Sequence, residues 1–512
     1  MLTPLSFCKI NVCNYHNLLK MKRTLLFVVM GIICFNKLYA NDHQTNLVSD
    51  RDTTKPNFIF FITDDIGWED LGCYGSPNVK TPNIDRLAAK GLKFENAYLT
   101  TSSCSPSRSS IITGRYPHNT GAPELHDPLP KGQVMFPELL KEAGYYTVLS
   151  GKNHMGPQAK HAFDMISPGK GPGGEEDWNE IIENRPKDKP FFFWFASHDA
   201  HRGWQTNDKG VMYNPDDIIV PPMLYNGPQT RKDLAAYYHE VSRADYYMGE
   251  IVKELEKQGI LENTYIIFMS DNGSPFPRNK GRLYDSGIKT PFIVYGPDVD
   301  KGSTTALISS VDIAPTILHL TGNEIDDRMQ GASFHSILQD KEWSGHRDFV
   351  FAEHNWHVFQ AHERMVRYKD WVYIRNAFPE RQNLLGESTR QFPAGLELWD
   401  AHEKKLTSPE QEDVFLVPRE REELYNLGTD PYQFKNLASD KKHQESLDSL
   451  RKVMEQWIAE TGDSVPQHPT PDRDDVNGKR LPGVWKKGEK AGASKQAEKV
   501  KLKGPLRIQD LR

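Results

Sequence analysis

Three apolar runs in this 512-residue chain end on residues able to do chemistry. Asn57–Thr63 (NFIFFIT) is followed by Asp64-Asp65, Pro190–Ala196 (PFFFWFA) by Ser197-His198, and Thr264–Ser270 (TYIIFMS) by Asp271-Asn272. Taken singly, Asp-Asp and Asp-Asn-Gly most often cap a helix or make a turn. A fourth segment, Thr101–Gly121 (TSSCSPSRSSIITGRYPHNTG), holds Cys104 and, four residues on, Arg108. A lone cysteine beside a helix start is usually a small buried hydrophobe. Further cations and imidazoles occur in Gly151–His154 (GKNH), Ser197–Arg202 (SHDAHR) and Asn279–Pro291 (NKGRLYDSGIKTP). With 63 Lys and Arg against 69 Asp and Glu, the net charge is -6, which argues against a broad nucleic-acid surface. An anionic ligand must therefore be held by a local pocket.

The elements that position these residues follow from the patterning. Continuous apolar runs of six or seven residues suit strands buried on both faces. Helical spacing is present at Asn83–Gly91, Phe136–Gly144 and Asp233–Gln258. The alternation predicts an α/β fold with a mostly parallel sheet between helices, and such sheets place ligands at the carboxyl ends of their strands. From about Asp348 short strand-like pieces (FVFAEH, MVRYKDWVYIR, REELYNL) and a helical run, Gln444–Glu460, predict a smaller α+β subdomain with an antiparallel sheet. The expected division is 55–345 for the catalytic body, 346–465 for the subdomain, and 466–512 for a basic tail rich in Pro, Gly and Lys, solvated or loosely wrapped.

The amino-terminal segment reads as a secretory signal. Lys22 and Arg23 precede an apolar run from Met21, and Leu38-Tyr39-Ala40 offers a cleavage site. Residues 1–40 are then removed, with Met21 the expected initiator; an uncleaved anchor is the alternative. Cleavage leaves Cys73 and Cys104 of the five cysteines, too few for a disulfide framework. Periplasmic or secreted placement follows, with no stable membrane association.

Cys104, Ser105, Pro106, Ser107 and Arg108, followed by Thr113-Gly114-Arg115, resemble the signature of the formylglycine-dependent (type I) sulfatases of the alkaline phosphatase superfamily. Gly144-Tyr145-Tyr146-Thr147 with Gly151-Lys152-Asn153-His154 matches that family's second signature in the same order. The resemblance covers most of residues 55–465, including ELYNLGTDPYQFKNLA, and implies an alkaline-phosphatase-like fold. It implies that a formylglycine-generating maturation enzyme oxidises Cys104 to 3-oxoalanine, which hydrates to a diol. It implies one Ca²⁺ held by Asp64, Asp65, Asp271, Asn272 and residue 104, a ligand set rich in the oxygen donors a hard cation prefers. Arg108, Lys152, His154, His201 and Lys280 then surround the sulfate. An ionised diol oxygen attacks sulfur, His201 and Lys280 assist the leaving group, and His154 removes the second diol proton to expel sulfate. His198 is expected to be structural, Lys289 to lie outside the pocket, and Cys73 to pack near the metal loop.

Three stretches lean toward the N-sulfoglucosamine sulfohydrolase branch: Leu125–Pro128 (LHDP), His198–Arg202 (HDAHR) and Asp271–Pro277 (DNGSPFP). That branch tends to carry arginine where this chain has Lys280, so an O-sulfatase acting on a glycan such as algal ulvan stands beside it. Glu124, His126, His354, Trp356 and His357 are candidate sugar contacts. The rivals are a phosphomonoester or phosphonate hydrolase of the same fold and a catalytically silent glycan-binding protein.

Overall fold

A computed structural model describes residues 55–512 apart from 383, 484–485, 493–495 and 497–498. The expected signal segment, with Cys8, Cys13 and Cys34, lies outside the described residues.

Eight strands form the main sheet: β1 (Asn57–Thr63), β2 (Leu92–Tyr98), β3 (Tyr146–Gly151), β4 (Met165–Ser167), β5 (Phe191–Ala196), β6 (Thr264–Ser270), β7 (Phe292–Tyr295) and β8 (Gly302–Ser309). Their spatial order is β4-β3-β5-β1-β6-β7-β2-β8. All neighbours are parallel except those of β7, which runs antiparallel to β6 and β2. Phe58, Phe60 and Ile62 of β1 enter one apolar cluster and Ile59 and Phe61 the other. Both faces are covered, which is why the strand reads as unbroken apolar sequence instead of alternating.

Helix α1 (Pro82–Lys90) begins on a proline whose fixed φ suits the first turn and stops at Gly91. Helix α2 (Cys104–Thr113) is buried along its whole length and shows no apolar stripe. That is expected of a helix wrapped by protein on every side. Helix α3 (Pro228–Lys257) covers the second face of the sheet and starts five residues before the predicted Asp233, again on a proline, here after Gly227.

A separate antiparallel sheet follows, in the order β12-β11-β10-β9, from β9 (Phe349–His354), β10 (Glu363–Tyr368), β11 (Trp371–Asn376) and β12 (Glu422–Asn426). The MVRYKDWVYIR run is thus two strands, reversed at Lys369, whose φ of 52° is left-handed. One face of this sheet packs on α4 (Gln444–Thr461), where Trp457 stacks on Phe351 with ring centres 5.0 Å apart. The other face contributes Val350, Ala352, Met365, Val372 and Ile374 to the core of the main sheet.

The basic tail is docked. Trp356 Nε1 donates to Pro471 O at 2.8 Å, Arg115 Nη2 to Val500 O at 2.9 Å, and Asp348 N to Leu506 O at 2.8 Å. Its lysines answer an acidic patch, with Lys487 2.5 Å and Lys490 3.2 Å from Asp127. No helix among the described residues is long and apolar enough to cross a membrane.

Candidate active site

Strands β1 and β6 are parallel neighbours with Thr63 opposite Ser270, so Asp64-Asp65 and Asp271-Asn272 leave the sheet side by side. Asp65 turns the chain at φ 61°. Its backbone N–H donates to Asp271 Oδ1 at 3.3 Å, and Ile66 N to Ser270 Oγ at 2.9 Å, so each exit braces the other. All four side chains are buried.

Cys104 opens α2 directly above them, with its Sγ 3.8 Å from Asp65 Oδ1. One carboxylate oxygen from each of Asp64, Asp65 and Asp271 lies with that sulfur in a group no more than 4.8 Å across. Arg108 sits one helical turn after Cys104 on the same face. Its Nε donates to Asp271 Oδ2 at 2.7 Å and its Nη1 to Lys152 O at 3.2 Å. Lys152 leaves β3 after Gly151, where a Cβ would lie 1.9 Å from Ala196 O, so only glycine fits. Its ammonium pairs with Asp64. Lys280 Nζ completes the set at 2.7 Å from Asp65 Oδ2.

The result is three aspartates and three cations in one-to-one pairs. Four polar atoms here are buried without a hydrogen-bond partner: Asp64 Oδ1, Asn272 Oδ1, Arg108 Nη2 and His154 Nδ1. Two are acceptor oxygens at the strand exits, one is a guanidinium donor and one an imidazole nitrogen. A hard cation fits the two oxygens and an oxyanion fits the guanidinium.

Burial sets the local acidities. It raises Asp65 to about 6 despite Lys280. It acts the same way on Asp64, where Lys152, His201, Arg108 and Lys280 together prevail and hold the carboxyl well below its usual range. Burial pushes the Cys104 thiol up, against Lys152 and Lys280. Burial, then Lys152 and His126, bring His154 down to about 2, a neutral imidazole.

The sequence-selected residues therefore divide. Asp64, Asp65, Cys104, Arg108, Lys152, Asp271, Asn272 and Lys280 converge. His154 joins through His126, whose Nδ1 lies 2.7 Å from His154 Nε2. His201 is exposed at the rim, with its Nδ1 3.1 Å from Arg202 O. Its loop is anchored by Arg202, which makes two 2.9 Å bonds to Asp233 of α3. His198 is exposed just beyond β5, its backbone N–H donating to Gly173 O at 2.8 Å. Lys289 lies over the Trp68 ring at 3.8 Å, and Cys73 sits on a turn tied to Asp85.

Three of the expected sugar contacts are used elsewhere. Glu124 accepts from Thr470 of the tail, Trp356 donates to Pro471, and His354 pairs with Glu363 at 3.3 Å. All three are buried by tail or sheet packing that a sequence pattern does not reveal. His357 remains beside the site, its Nδ1 2.7 Å from Ser103 Oγ. Glu387 was not anticipated, because it follows no motif and approaches Lys280 only through the fold.

A family model described as sulfatase matches residues 56–172 and 175–323, over half of the chain. This chain belongs to the sulfatase family. A second model, the C-terminal region of N-sulphoglucosamine sulphohydrolase, matches residues 278–379. An ulvan-active sulfatase of Formosa agariphila is 30% identical over 469 residues, spanning 80% of this chain and 76% of the relative. Human N-sulphoglucosamine sulphohydrolase is 30% identical over 470 residues, spanning 80% and 90%. Among solved structures, a complex with the substrate D-glucosamine-2-N,6-O-disulfate aligns with a TM-score of 0.62 at 20% identity, over 79% of this chain and 98% of that one. This sulfatase is a sulfuric ester hydrolase, and the alkaline-phosphatase-like fold expected from the sequence is the one observed.

Proposed function

We propose that this sulfatase is exported and hydrolyses sulfate groups of a sulfated polysaccharide or its oligosaccharides. The observation that carries the reading is the set of three aspartate–cation pairs packed around residue 104. Asp64, Asp65, Asp271 and Asn272, two of them with orphaned oxygens, are the proposed Ca²⁺ ligands together with residue 104. Held there, the ion would supply positive charge beside residue 104. Arg108, Lys152 and Lys280 surround the same residue and are assigned to hold an oxyanion, Arg108 Nη2 being without a hydrogen-bond partner.

As a plain thiol, residue 104 is poorly suited to this task, since burial keeps it un-ionised. Conversion by a maturation enzyme to 3-oxoalanine replaces it with a hydrated aldehyde bearing two hydroxyls. His154 is neutral, with Nδ1 unpartnered, and is assigned to accept a proton there as sulfate departs. His201 at the rim and Lys280 are assigned to the leaving oxygen or nitrogen. Catalytic residues 55–345, a subdomain at 346–465 and the tail at 466–512 form the proposed division of labour.

The two relatives described above are named for ulvan and for N-sulfoglucosamine, and Lys280 keeps O-sulfate esters beside N-sulfate. The test is release of inorganic sulfate from a panel of N-, 2-O-, 3-O-, 4-O- and 6-O-sulfated sugars. Absence of release from every member, by protein whose residue 104 is shown to be oxidised, overturns the reading.

A further inference from the structure

Glu387 stands outside the three aspartate–cation pairs of the site. Asp64, Asp65 and Asp271 each have a cation, which leaves Glu387 as a fourth carboxylate on the wall beside Lys280, with its Oε1 3.8 Å from Nζ. Only 9% of its side chain is exposed, and Oε2 has no hydrogen-bond partner. Buried carboxylates normally have theirs filled. A negative charge beside Lys280 weakens that lysine's hold on an anion, so the unfilled oxygen of Glu387 calls for a partner other than the sulfate.

The residue is also held in place. Leu385 N donates to Ser388 Oγ at 2.9 Å, and Trp399 Nε1 to Ser388 O at 2.8 Å. Leu385 packs so closely on Gly281, next to Lys280, that a Cβ there would fall 1.5 Å from Leu385 Cδ1. The chain on either side of Glu387 is thus held against the segment that carries Lys280, as the support of a recognition group needs to be.

We infer that Glu387 determines specificity: it accepts a hydrogen bond from a hydroxyl or amine of the sugar unit that carries the sulfate, and it rejects a second sulfate at that place. An ionised carboxylate can only accept, so a donor on the sugar completes its bonding and an added anion repels it. The inference rests on the sulfate-binding role proposed for Lys280.

The experiment compares the oxidised full-length protein with Glu387→Gln and Glu387→Asp. The probes are 4-nitrophenyl sulfate, glucosamine 6-sulfate, N-sulfoglucosamine and glucosamine 2-N,6-O-disulfate, with kcat/KM for each and inhibition or binding constants for any that is not turned over. The wild type is expected to favour its preferred monosulfated sugar over the disulfate by about tenfold or more, the scale of one hydrogen bond to a charged group. Glu387→Gln should narrow that ratio to roughly threefold or less and Glu387→Asp should retain part of it, over and above any change that Lys280 imposes on every probe, the aryl sulfate included. An unchanged ratio in Glu387→Gln overturns the inference, as does an equal loss on aryl and sugar sulfates, which would mean that Glu387 only steadies Lys280. Preferential binding without turnover of any probe leaves Glu387's role standing and overturns the sulfatase mechanism instead.

Discussion

Arg108 Nε and Asp271 Oδ2 meet at 2.7 Å in complete burial, although 163 positions separate them in the chain. The pair joins the helix that carries Cys104 to the exit of β6, so the same contact serves folding and site assembly. Removing one partner of a buried pair strands the other charge, at a cost of about 3–5 kcal/mol. Asp271→Ala should therefore abolish turnover and also lower the unfolding midpoint measurably. Asp271→Asn keeps an acceptor for Arg108 and should lose turnover with a smaller drop. Equal stability of Asp271→Ala and wild type in denaturant titration would contradict this account.

Cys104 gives the opposite pattern. Its sulfur makes one long contact, 3.8 Å to Asp65, and no short hydrogen bond. Cys104→Ala should leave the unfolding midpoint within about 1–2 kcal/mol of wild type, the scale of a small cavity, while turnover disappears. In protein from a host with the maturation enzyme, the tryptic peptide spanning residue 104 should carry the mass of an aldehyde or its hydrate. Residual turnover by the alanine variant, or an unmodified thiol in active protein, would refute the assignment.

Much of this site was legible because strands buried on both faces announce themselves as unbroken apolar runs, and the residue after each run is then placed at a strand exit. The placement of Asp64, Asp65, Asp271 and Asn272 follows from that rule, whereas Cys104 with Arg108 stands out only through resemblance to the sulfatase signature. What the sequence concealed depends on packing between distant segments. By sequence Glu124 and Trp356 are sugar contacts as readily as surface or packing residues, and the tail, solvated or loosely wrapped by composition, covers both in the fold. Composition describes a segment's preference for water and says nothing of the acidic patch at Asp127 that draws its lysines in. Glu387 was hidden for the same reason, since only the fold brings it to Lys280.

Cation binding should be readable in stability as well as turnover. A ligand that binds only the native state stabilises it by about 2.7 kcal/mol at a hundredfold excess over Kd. Chelation followed by graded Ca²⁺ should raise the unfolding temperature of the wild type, and Asp64→Asn or Asn272→Ala should blunt the response. Because Asp64, Asp65 and Asp271 already pair with Lys152, Lys280 and Arg108, the chelated protein should remain folded. A calcium response as large in Asp64→Asn as in wild type would place the ion elsewhere.

The docked tail carries a pH dependence of its own, through Glu124. Burial raises its carboxyl from 4.5 to about 7, against Lys487 and Lys490 and with Asp127 adding to the rise. Thr470 Oγ1 lies 2.9 Å from both of its oxygens, and Lys487 is 3.5 Å away. A carboxyl whose pKa is higher in the folded state binds more protons there. Its contribution is fully present below about 4.5 and is lost as pH rises through about 7. At 1.36 kcal/mol per unit, the loss amounts to about 3 kcal/mol at most. Glu124→Gln cannot titrate, so its stability relative to wild type should grow between pH 5 and 8, the two having been closest at the acid end. Limited proteolysis at the lysines of the tail should follow the same trend if undocking precedes global unfolding. A constant difference across that pH range would show that Glu124 does not take up a proton when the tail docks.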